Sequence, residues 1–392
     1  MLDSLFFNSE IRKFILANTG NDVSKLALSK NPFPEFDWKE ILNQIASRTK
    51  AKDKLPTWFG NENVIYPAKI SIEQASSEVT AAYKSGIVSG ENLIDLSGGF
   101  GVDDYYFSKK VKNVTHCEIN TELSEIVKYN FEQLHVDNIT CLSGDSHDIL
   151  RTLKQKFNWI YIDPSRRSDS KGKVFMLKDC LPNVVESLDF YFSFSDNILI
   201  KTAPLLDISA GLSELKNVKT IHIVAVKNEV KELLWKIEKD YSGAINIKTV
   251  DFSSEEKNFD FELDLSVYPD YGLPEKYLFE PNSAIMKSGG FDEVAAQFGL
   301  RKLHRHSHLY TSNEMVDFPG RIFEIEQNIP FNKSGMKQLS DIKKANVTTR
   351  NFPDSVETLR KKWKIAEGGN IYAFFTTDSN NNKIVLICTK IQ

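Results

Sequence analysis

Four acidic residues stand where strand-like runs of the sequence end. Each of four short apolar runs is followed closely by one carboxylate: Asp95, Glu118, Asp145 and Asp163. Neighbouring parallel strands end at a common edge, and open sheets of this kind bind their ligands there. Carboxylates at that edge can accept hydrogen bonds from a diol and attract a cation. The spacing therefore predicts a binding site for a polar ligand with such groups.

The first of these acids opens a glycine-dense turn, Asp95-Leu96-Ser97-Gly98-Gly99-Phe100-Gly101. Glycine lets the backbone turn sharply and lets a ligand approach it closely. Dinucleotide oxidoreductases and S-adenosylmethionine methyltransferases share this geometry, and the glycines alone do not separate them. Asp104 stands where a dinucleotide site has a small residue, and Asp95 would face two phosphates with no cation nearby. A ligand with an ammonium group, such as the methionine end of S-adenosylmethionine, is favoured.

Short apolar runs alternate with helical patterns after Gly90. The predicted strands are Asn92 to Ser97, Val114 to Ile119, Ile139 to Leu142, Trp159 to Ile162, Ile198 to Lys201 and Thr220 to Val226. The predicted helices are Asp103 to Lys110, Thr121 to Leu134 and Asp148 to Lys156. This alternation predicts an α/β fold with a doubly wound, Rossmann-like parallel sheet.

The flanking segments follow other patterns. Helical spacing before residue 46 predicts a small helical N-terminal region, and Ile72 to Tyr83 is predicted as a polar-faced helix. Glu229 to Lys239 is also predicted as a helix, followed by an antiparallel pair, Ile245 to Phe252 and Phe259 to Tyr268. The Pro-rich and Gly-rich stretch near residues 269–281 predicts a domain boundary.

Charge is divided unevenly along the chain. The formal net charge is -4 over 392 residues, which excludes a strongly basic nucleic-acid-binding protein. Residues 271–392 nevertheless carry 17 Lys and Arg against 13 Asp and Glu. Lys333 to Lys364 holds nine cations, with Phe352 and Trp363 interleaved, a pattern that an RNA-binding surface and a solvated face share.

The cysteines, the apolar runs and the N-terminus indicate in which compartment the protein is expected. The four cysteines are scattered without the close pairs of a zinc or redox site, and no apolar run is long enough to cross a bilayer. The N-terminus lacks a basic segment followed by an apolar core, so we expect a cytoplasmic protein. Nothing indicates an oligomeric state.

Several of these segments resemble a known family. The matching stretches are Glu73 to Glu78, Asp95 to Asp103, Asp163 to Arg167, Lys201 to Asp207, Asn228 to Leu234, His308 to Ser312 and Arg350 to Pro353. Together they resemble the class I S-adenosylmethionine-dependent methyltransferases, and more closely the bacterial family that ends in a THUMP-like domain. The resemblance covers the chain from about residue 56 to its end.

The helical pattern of the first residues, together with the resemblance, divides the chain into four expected regions. They are a helical N-terminal region over 1–77, a class I methyltransferase domain over 78–270, a small ferredoxin-like domain over 271–318 and a THUMP-like domain over 319–392. The last two are small α+β domains. Since THUMP domains bind RNA, the resemblance also implies that the basic C-terminal module meets RNA.

The resemblance implies a cofactor and its contacts. S-adenosylmethionine would bind with its methionine moiety at the glycine loop, its ribose at Glu118 and its adenine at Asp145 and Ser146. The full expected set is Gln74, Asp95, Ser97, Gly98, Gly99, Phe100, Gly101, Asp103, Glu118, Ile119, Asp145, Ser146 and Asp163. Gln74 lies on the polar helix face, which is equally well explained by solvation.

The resemblance also implies an acceptor loop. In amino-directed nucleic-acid methyltransferases the matching tetrapeptide has an acid or amide, two prolines and an aromatic, and it positions an exocyclic amine. Here Asp163 and Pro164 match, whereas Ser165 and Arg166 do not, so no aromatic is present to stack a flipped base. The expected catalytic residues are Asp163, Pro164 and Arg166.

Five further residues are expected to contact the substrate: Arg167, Lys201, Thr202, Lys361 and Lys362. Lys201 and Thr202 could equally be simple strand ends. The expected function is transfer of a methyl group to an RNA base. Asp-Pro followed by an arginine also resembles the pyrimidine-C5 RNA methyltransferases, but these need a cysteine nucleophile, and the nearest candidate, Cys180, stands in a Lys-Asp-Cys-Leu-Pro context unlike their motif. A methyltransferase acting on DNA or a small molecule, a non-catalytic S-adenosylmethionine- or RNA-binding module, and an oxidoreductase also stay open.

A metal site is not expected. His304, His306 and His308 alternate as on a strand, but no carboxylate or thiol nearby in the sequence completes a ligand set. A basic surface is the simpler interpretation of this segment.

Overall fold

The computed structural model describes residues 4–67, 69–166, 176–253, 256–339 and 342–391. These fold into two compact units. The first consists of residues up to Lys219 together with Leu233–Gly243, and the second consists of Thr220–Glu232 together with residues 244–392. Neither unit is a single stretch of the chain, because each contains part of the segment 220–243.

The first unit begins with helices. They follow a 3-10 turn (Ser4–Phe7) and are α1 (Ser9–Asn18), α2 (Val23–Ala27), α3 (Trp38–Lys54), α4 (Pro56–Gly60), α5 (Lys69–Gln74) and α6 (Glu78–Ser85). The helical N-terminal region is thereby confirmed. The single helix predicted over Ile72 to Tyr83 is wrong, because Ser77 interrupts it and accepts a hydrogen bond from the Thr80 N–H as the N-cap of α6.

Strands and helices then alternate. The elements are β1 (Asn92–Asp95), α7 (Val102–Phe107), β2 (Asn113–Glu118), α8 (Thr121–Gln133), β3 (Ile139–Ser143), α9 (Ser146–Leu153), β4 (Trp159–Ile162), β5 (Ser165–Arg166), β6 (Cys180–Leu181), α10 (Val184–Phe192), β7 (Asn197–Thr202), α11 (Ile208–Glu214), β8 (Val218–Val226) and β9 (Glu229–Glu238). A 3-10 turn, Leu177–Asp179, precedes β6.

The first unit contains a parallel sheet with the strand order β3-β2-β1-β4-β7. Residues 233–238 of β9 then pair antiparallel with β7. The predicted doubly wound, Rossmann-like sheet is confirmed. The short strands β5 and β6 pair separately, directly after Pro164.

The helix predicted over Glu229 to Lys239 is wrong, because this segment forms β9. Its apolar residues fall at spacings of three and four, which is the helical period. In the structure Leu233, Leu234 and Trp235 are all fully buried, so side chains on both faces of the strand are covered. A strand buried on both faces has no strict alternation, and sequence periodicity alone does not separate it from a helix.

The second unit contains residues 220–226 of β8, residues 229–232 of β9 and the remaining elements. The remaining elements are β10 (Asn246–Phe252), β11 (Glu256–Glu262), β12 (Tyr277–Pro281), α12 (Ser283–Ser288), α13 (Phe291–Phe298), β13 (Arg301–Lys302), β14 (Tyr310–Ser312), β15 (Gly320–Pro330), α14 (Lys333–Gln338), β16 (Lys344–Thr349), α15 (Val356–Trp363), β17 (Ala366–Thr377) and β18 (Lys383–Lys390).

Two sets of strands organise this unit. β10 and β11 form the predicted antiparallel pair, and β10 also runs parallel to β8. The other strands form a sheet in the order β13-β14-β12-β15-β18-β17-β16. Near the C-terminus, β17 and β18 pair antiparallel as a hairpin. Among the described residues, no helix of either unit is both long and apolar enough to cross a membrane.

Candidate functional site

The glycine loop joins β1 to α7. Gly99 and Gly101 have φ angles of +55° and +75°, in the left-handed region that favours glycine. A Cβ atom at Gly101 would lie 2.6 Å from the Phe131 ring, so a side chain cannot be accommodated there without a shift. The Gly98 N–H donates to the Cys117 carbonyl at 2.9 Å, which fixes the loop against the end of β2. The loop is therefore a compact turn with no side chains at its three glycines.

One serine hydroxyl connects this loop to the end of β4. Ser97 Oγ donates to Asp95 Oδ1 at 2.9 Å and accepts from the backbone N–H of Asp163 at 2.6 Å. The Ser97 N–H also donates to Asp95 Oδ1, at 2.7 Å. The two loops that the sequence singled out are thus held together by a single side chain.

Asp163 is paired with a lysine from the neighbouring strand. Lys201, on β7, places its Nζ 2.5 Å from Asp163 Oδ2. The Asp163 side chain is partly exposed, whereas that of Lys201 is largely covered. Within the described parts of the chain, no hydrogen bond reaches the other carboxylate oxygen of Asp163. The pair therefore presents one oriented oxygen at the end of β4.

The other two strand-end acids have different surroundings. Glu118 is half-buried and accepts from the Gly99 N–H at 3.0 Å and the Asn120 N–H at 2.8 Å. The next side chain, Ile119, is 74% exposed. Asp145 is exposed and caps α9, accepting from the N–H groups of the first turn of that helix, which begins at Ser146. Because β3, β2, β1 and β4 are parallel neighbours, all four acids lie along one edge of the sheet.

A buried ion pair lies beside the loop. The Lys84 side chain has no solvent exposure, and its Nζ lies 3.2 Å from Asp103 Oδ1 and 3.0 Å from Ser76 Oγ. Asp103 Oδ2 accepts from Ser76 Oγ at 2.9 Å and from the Tyr161 hydroxyl at 2.8 Å. Burial by itself would raise the pKa of Asp103, but the ammonium groups of Lys84 and Lys201 hold it below its ordinary value. Asp103 is therefore a buried carboxylate anchored on several sides.

A second buried group lies beneath Gly98. His116 Nδ1 is 2.6 Å from Asp104 Oδ2, and neither side chain has any solvent exposure. Burial lowers the pKa of His116, and burial also raises the pKa values of Asp95 and Asp104 well above their ordinary range. A Cβ atom at Gly98 would lie 2.1 Å from the His116 ring. The ring therefore fills the space that a side chain at Gly98 would need.

Several predicted site residues occupy other positions. The Phe100 ring is buried in the core near Trp58 and Tyr66, so only the backbone of this residue could contact a ligand at the glycine loop. Thr202 is buried, and its hydroxyl accepts a hydrogen bond from Trp235 Nε1 at 3.0 Å within the core. Gln74 is exposed at the end of α5. Lys361 and Lys362 are exposed on α15, in the second unit.

The two predicted arginines are described incompletely. Arg166 is the last residue of β5, where it pairs with Cys180, and its side chain lies outside the described structure. Arg167 lies wholly outside the described residues. Both stay predictions.

Three members of the buried groups were not identified from the sequence. These are Lys84, His116 and Tyr161. Lys84 follows the buried Ala81 by three residues on α6, so its place on the apolar stripe of that helix was the available signal. His116 and Tyr161 lie within strands, where one sequence offers no signal that separates them from ordinary core residues.

None of the cysteines has the surroundings of a nucleophile. Cys180 is fully buried, and its thiol lies 3.7 Å from the Met176 carbonyl. Burial raises the pKa values of Cys117 and Cys388, and it raises the pKa of Cys141 to about 12. A thiol nucleophile needs a lowered pKa and access to substrate. A pyrimidine-C5 reaction is therefore disfavoured.

Comparisons with known proteins bear on both units. Residues 277–319 match a family model described as a ferredoxin-like domain, and residues 320–390 match one described as THUMP domain-like. The crystal structure of a "putative methyltransferase" from Porphyromonas gingivalis is 31% identical in sequence, with a TM-score of 0.86 over 98% of each chain.

Two curated relatives match shorter stretches. An uncharacterized RNA methyltransferase from Clostridium acetobutylicum is 29% identical over 101 residues, which are 26% of this chain and 22% of that protein. Another, from Mycoplasma mobile, is 31% identical over 77 residues, which are 20% of this chain and 21% of that protein. The matched stretch thus spans about a fifth of the length of each curated relative.

Proposed function

The chain belongs to the same family as the Porphyromonas gingivalis protein, a family of THUMP-like methyltransferases, and from that premise we propose that it transfers a methyl group from S-adenosylmethionine to a base of RNA. The observation that carries this proposal is the Ser97 bridge, which joins the glycine loop to Asp163. A transferase needs its donor and its acceptor held in one geometry. The names of the two curated relatives support RNA as the acceptor.

The residues at the sheet edge fit S-adenosylmethionine. The three glycines let a ligand approach the loop backbone closely, and Asp95, the acid expected near the methionine ammonium group, is 2% exposed and accepts from the Ser97 N–H. Glu118 is half-buried and keeps lone pairs available for a ribose diol, and the exposed Ile119 offers an apolar contact for adenine. Asp145 and Ser146 would hold the polar edge of the adenine. When bound, the cofactor supplies an electrophilic methyl group on a sulfonium.

Asp163 would orient the acceptor. Its Oδ2 is held by Lys201, so the carboxylate cannot rotate freely, and its other oxygen can accept a hydrogen bond from an exocyclic amine. The carbonyl of Pro164 would accept a hydrogen bond from the second N–H of the amine. The nitrogen lone pair would then point away from both acceptors. Lys201 also balances the charge of Asp163, so this arrangement positions the amine rather than supplying a strong base.

Two sets of hydrogen bonds hold the acceptor loop in place. β5 and β6 pair directly after Pro164, and the Asp163 backbone is fixed by Ser97. The basic segment Lys333 to Lys364 of the second unit would bind RNA phosphates. Methylation of DNA or of a small molecule, and binding without transfer, are outcomes that the following experiment separates from this proposal.

The experiment measures transfer of tritiated methyl groups from S-adenosylmethionine into total RNA from cells that lack the gene. Wild-type protein should label RNA, and Asp163→Ala should lower the rate by about 10²-fold or more, the order expected when a reacting group is no longer positioned. Binding of S-adenosylhomocysteine to the variant should be nearly unchanged. The matched control is Asp189→Ala, which removes an exposed acid paired with Lys216.

Three results would contradict the proposal. Equal labelling by wild type and Asp163→Ala would remove Asp163 from the reaction. Label that enters DNA or small molecules but not RNA would replace the acceptor. Cofactor binding without any transfer would identify a binding module.

A further inference from the structure

A recess of about 330 Å³ lies within the second unit, between the start of α13 and the turn that joins β13 to β14. This volume is near the lower end of the range of small-molecule sites, roughly 300–1,000 Å³. None of its residues belongs to the glycine loop or to the acceptor loop. Its lining includes the aromatic rings of Tyr271, Phe291 and His308 and the charged side chains of Asp292, Glu293, Lys302 and Arg305.

Aromatic faces form part of this recess. Tyr271 is 46% exposed, so its ring is accessible from the recess that it lines. Phe291 stacks on the His308 imidazole, with 3.6 Å between ring centroids and 22° between ring planes. Exposed and stacked rings of this kind are the surfaces on which nucleic-acid bases stack. The recess therefore has room and partners for a planar ring.

Cations stand beside these rings. Lys302 is 2% exposed, and its ammonium group is fixed in an ion pair with Asp292. Arg305 is exposed at the rim, and no described residue forms an ion pair or hydrogen bond with its guanidinium. An exposed guanidinium without a described partner can bind a phosphate through two hydrogen bonds, whereas Lys302 is already paired with Asp292. Asp292 and Glu293 place carboxylates in the same recess, and these can accept from sugar hydroxyls.

His308 adds a group with an unmet hydrogen bond. Its Nδ1 is buried and has no partner within the described structure. Its backbone has a φ of +52°, a conformation that non-glycine residues seldom adopt, and this is a form of strain that concentrates at ligand sites. Burial, then the nearby charges of Lys302 and Arg350, lower the pKa of His308 to about 4. The neutral imidazole offers one donor and one acceptor to a ligand.

We propose that this recess binds a single ribonucleotide unit. The base stacks against Tyr271 or the Phe291–His308 pair, the phosphate meets Arg305, and the ribose hydroxyls meet Asp292 or Glu293. The same chemistry is offered by a free nucleoside monophosphate and by an unpaired nucleotide of an RNA chain. The site does not depend on methyl transfer, so its test is a binding measurement.

The experiment titrates the full chain with AMP, GMP, CMP and UMP by calorimetry, and with the matching nucleosides and inorganic phosphate for comparison. At least one nucleotide should bind more tightly than its nucleoside and than phosphate alone. Arg305→Gln should weaken that binding about tenfold or more, as expected for a lost charged hydrogen bond. Tyr271→Leu should weaken it about five- to a hundredfold, as expected for lost stacking.

The matched control is Lys276→Gln, which removes an exposed cation of the same unit that does not line the recess. It should leave nucleotide binding unchanged, and circular dichroism should show that all three variants are folded. Competition between the nucleotide and a labelled single-stranded RNA would identify the RNA chain as the source. Nucleotide binding without such competition would identify a free nucleotide.

Three results would overturn the proposal. One is the absence of nucleotide binding to wild-type protein. Another is nucleotide binding that Arg305→Gln and Lys276→Gln weaken equally. The third is inorganic phosphate that binds as tightly as any nucleotide, which would reduce the recess to an anion site. None of these readouts requires methyl transfer, so failure here is distinguishable from failure of the proposed function.

Discussion

Charged side chains are used in opposite ways in two regions of the molecule. Beneath the glycine loop, Lys84, Asp103 and Asp104 are buried and each has a fixed partner. On α15, Lys361 and Lys362 are exposed. A buried charge is costly unless it is paired, so it fixes geometry at short range. An exposed charge costs little and attracts a polyanion at long range, with a strength that depends on salt. One region is suited to holding a small ligand in place and the other to attracting a large one.

The largest effect that tests this comparison is on the buried pair. Lys84→Met leaves the Asp103 carboxylate without its ion pair, and we expect the free energy of unfolding to fall by about 3–5 kcal/mol. Chemical denaturation of the first-unit transition measures it. Lys112→Met is the control, because Lys112 pairs with Glu91 on the surface and such pairs contribute little. If both variants lost the same free energy of unfolding, the buried Lys84 pair would contribute no more to stability than a surface pair.

The next effect concerns the imidazole under the loop. Gly98→Ala would place a methyl group against the fully buried His116 ring, which Asp104 holds in place. We expect the loop to shift at a cost of about 1–3 kcal/mol, with S-adenosylhomocysteine binding weakened tenfold or more. Calorimetry measures the binding. In Gly60→Ala the new methyl group meets no atom within 4 Å, so unchanged binding is expected there.

Removing exposed charge should have a smaller and salt-dependent effect. Lys361→Gln combined with Lys362→Gln should weaken RNA binding and reduce the slope of log K against log salt by roughly 1.5, as for two lost phosphate contacts. Stability should be unchanged. The control pair is Lys154→Gln with Lys156→Gln, exposed on the first unit. If both pairs lower the slope equally, RNA binding is not a property of α15.

The smallest effect is on pH dependence. Burial holds the pKa of His116 below its ordinary 6.5, although Asp95 and Glu118 act in the other direction. Below pH 6.5 the unfolded chain gains a proton that the folded protein excludes, so stability is present above that pH and is lost as pH falls. The loss is at most about 1.4 kcal/mol per pH unit.

Denaturation at pH 7.5, 6.5 and 5.5 measures this contribution. His116→Asn should flatten the profile over that range, whereas His135→Asn, which replaces a histidine outside the buried groups, should leave it unchanged. A wild-type profile that is already flat, with no change in His116→Asn, would contradict a contribution from His116; a flat profile that changes in His116→Asn would mean that Asp95 and Asp104, whose pKa values burial raises, offset it.

The sequence was most informative where a residue type has one common use. Alternating strands and helices predicted the parallel sheet, and acids at strand ends predicted which edge carries the site. It was least informative where tertiary contacts decide. Glu229 to Lys239 has helical spacing, yet it is a strand because both of its faces are covered. The Lys201 partner of Asp163 comes from a strand 38 residues away, and only the folded sheet brings the two together.

The Ser97 bridge has a consequence for the order of events. The Ser97 hydroxyl contacts both the Asp95 carboxylate of the glycine loop and the backbone of the acceptor loop. A ligand that orders either loop therefore also orders the other. Thermodynamic linkage is reciprocal: whatever factor one substrate gains from the presence of the second, the second gains from the first. The two substrates of such an enzyme would bind with positive cooperativity, and a Ser97→Ala variant would bind each of them independently of the other.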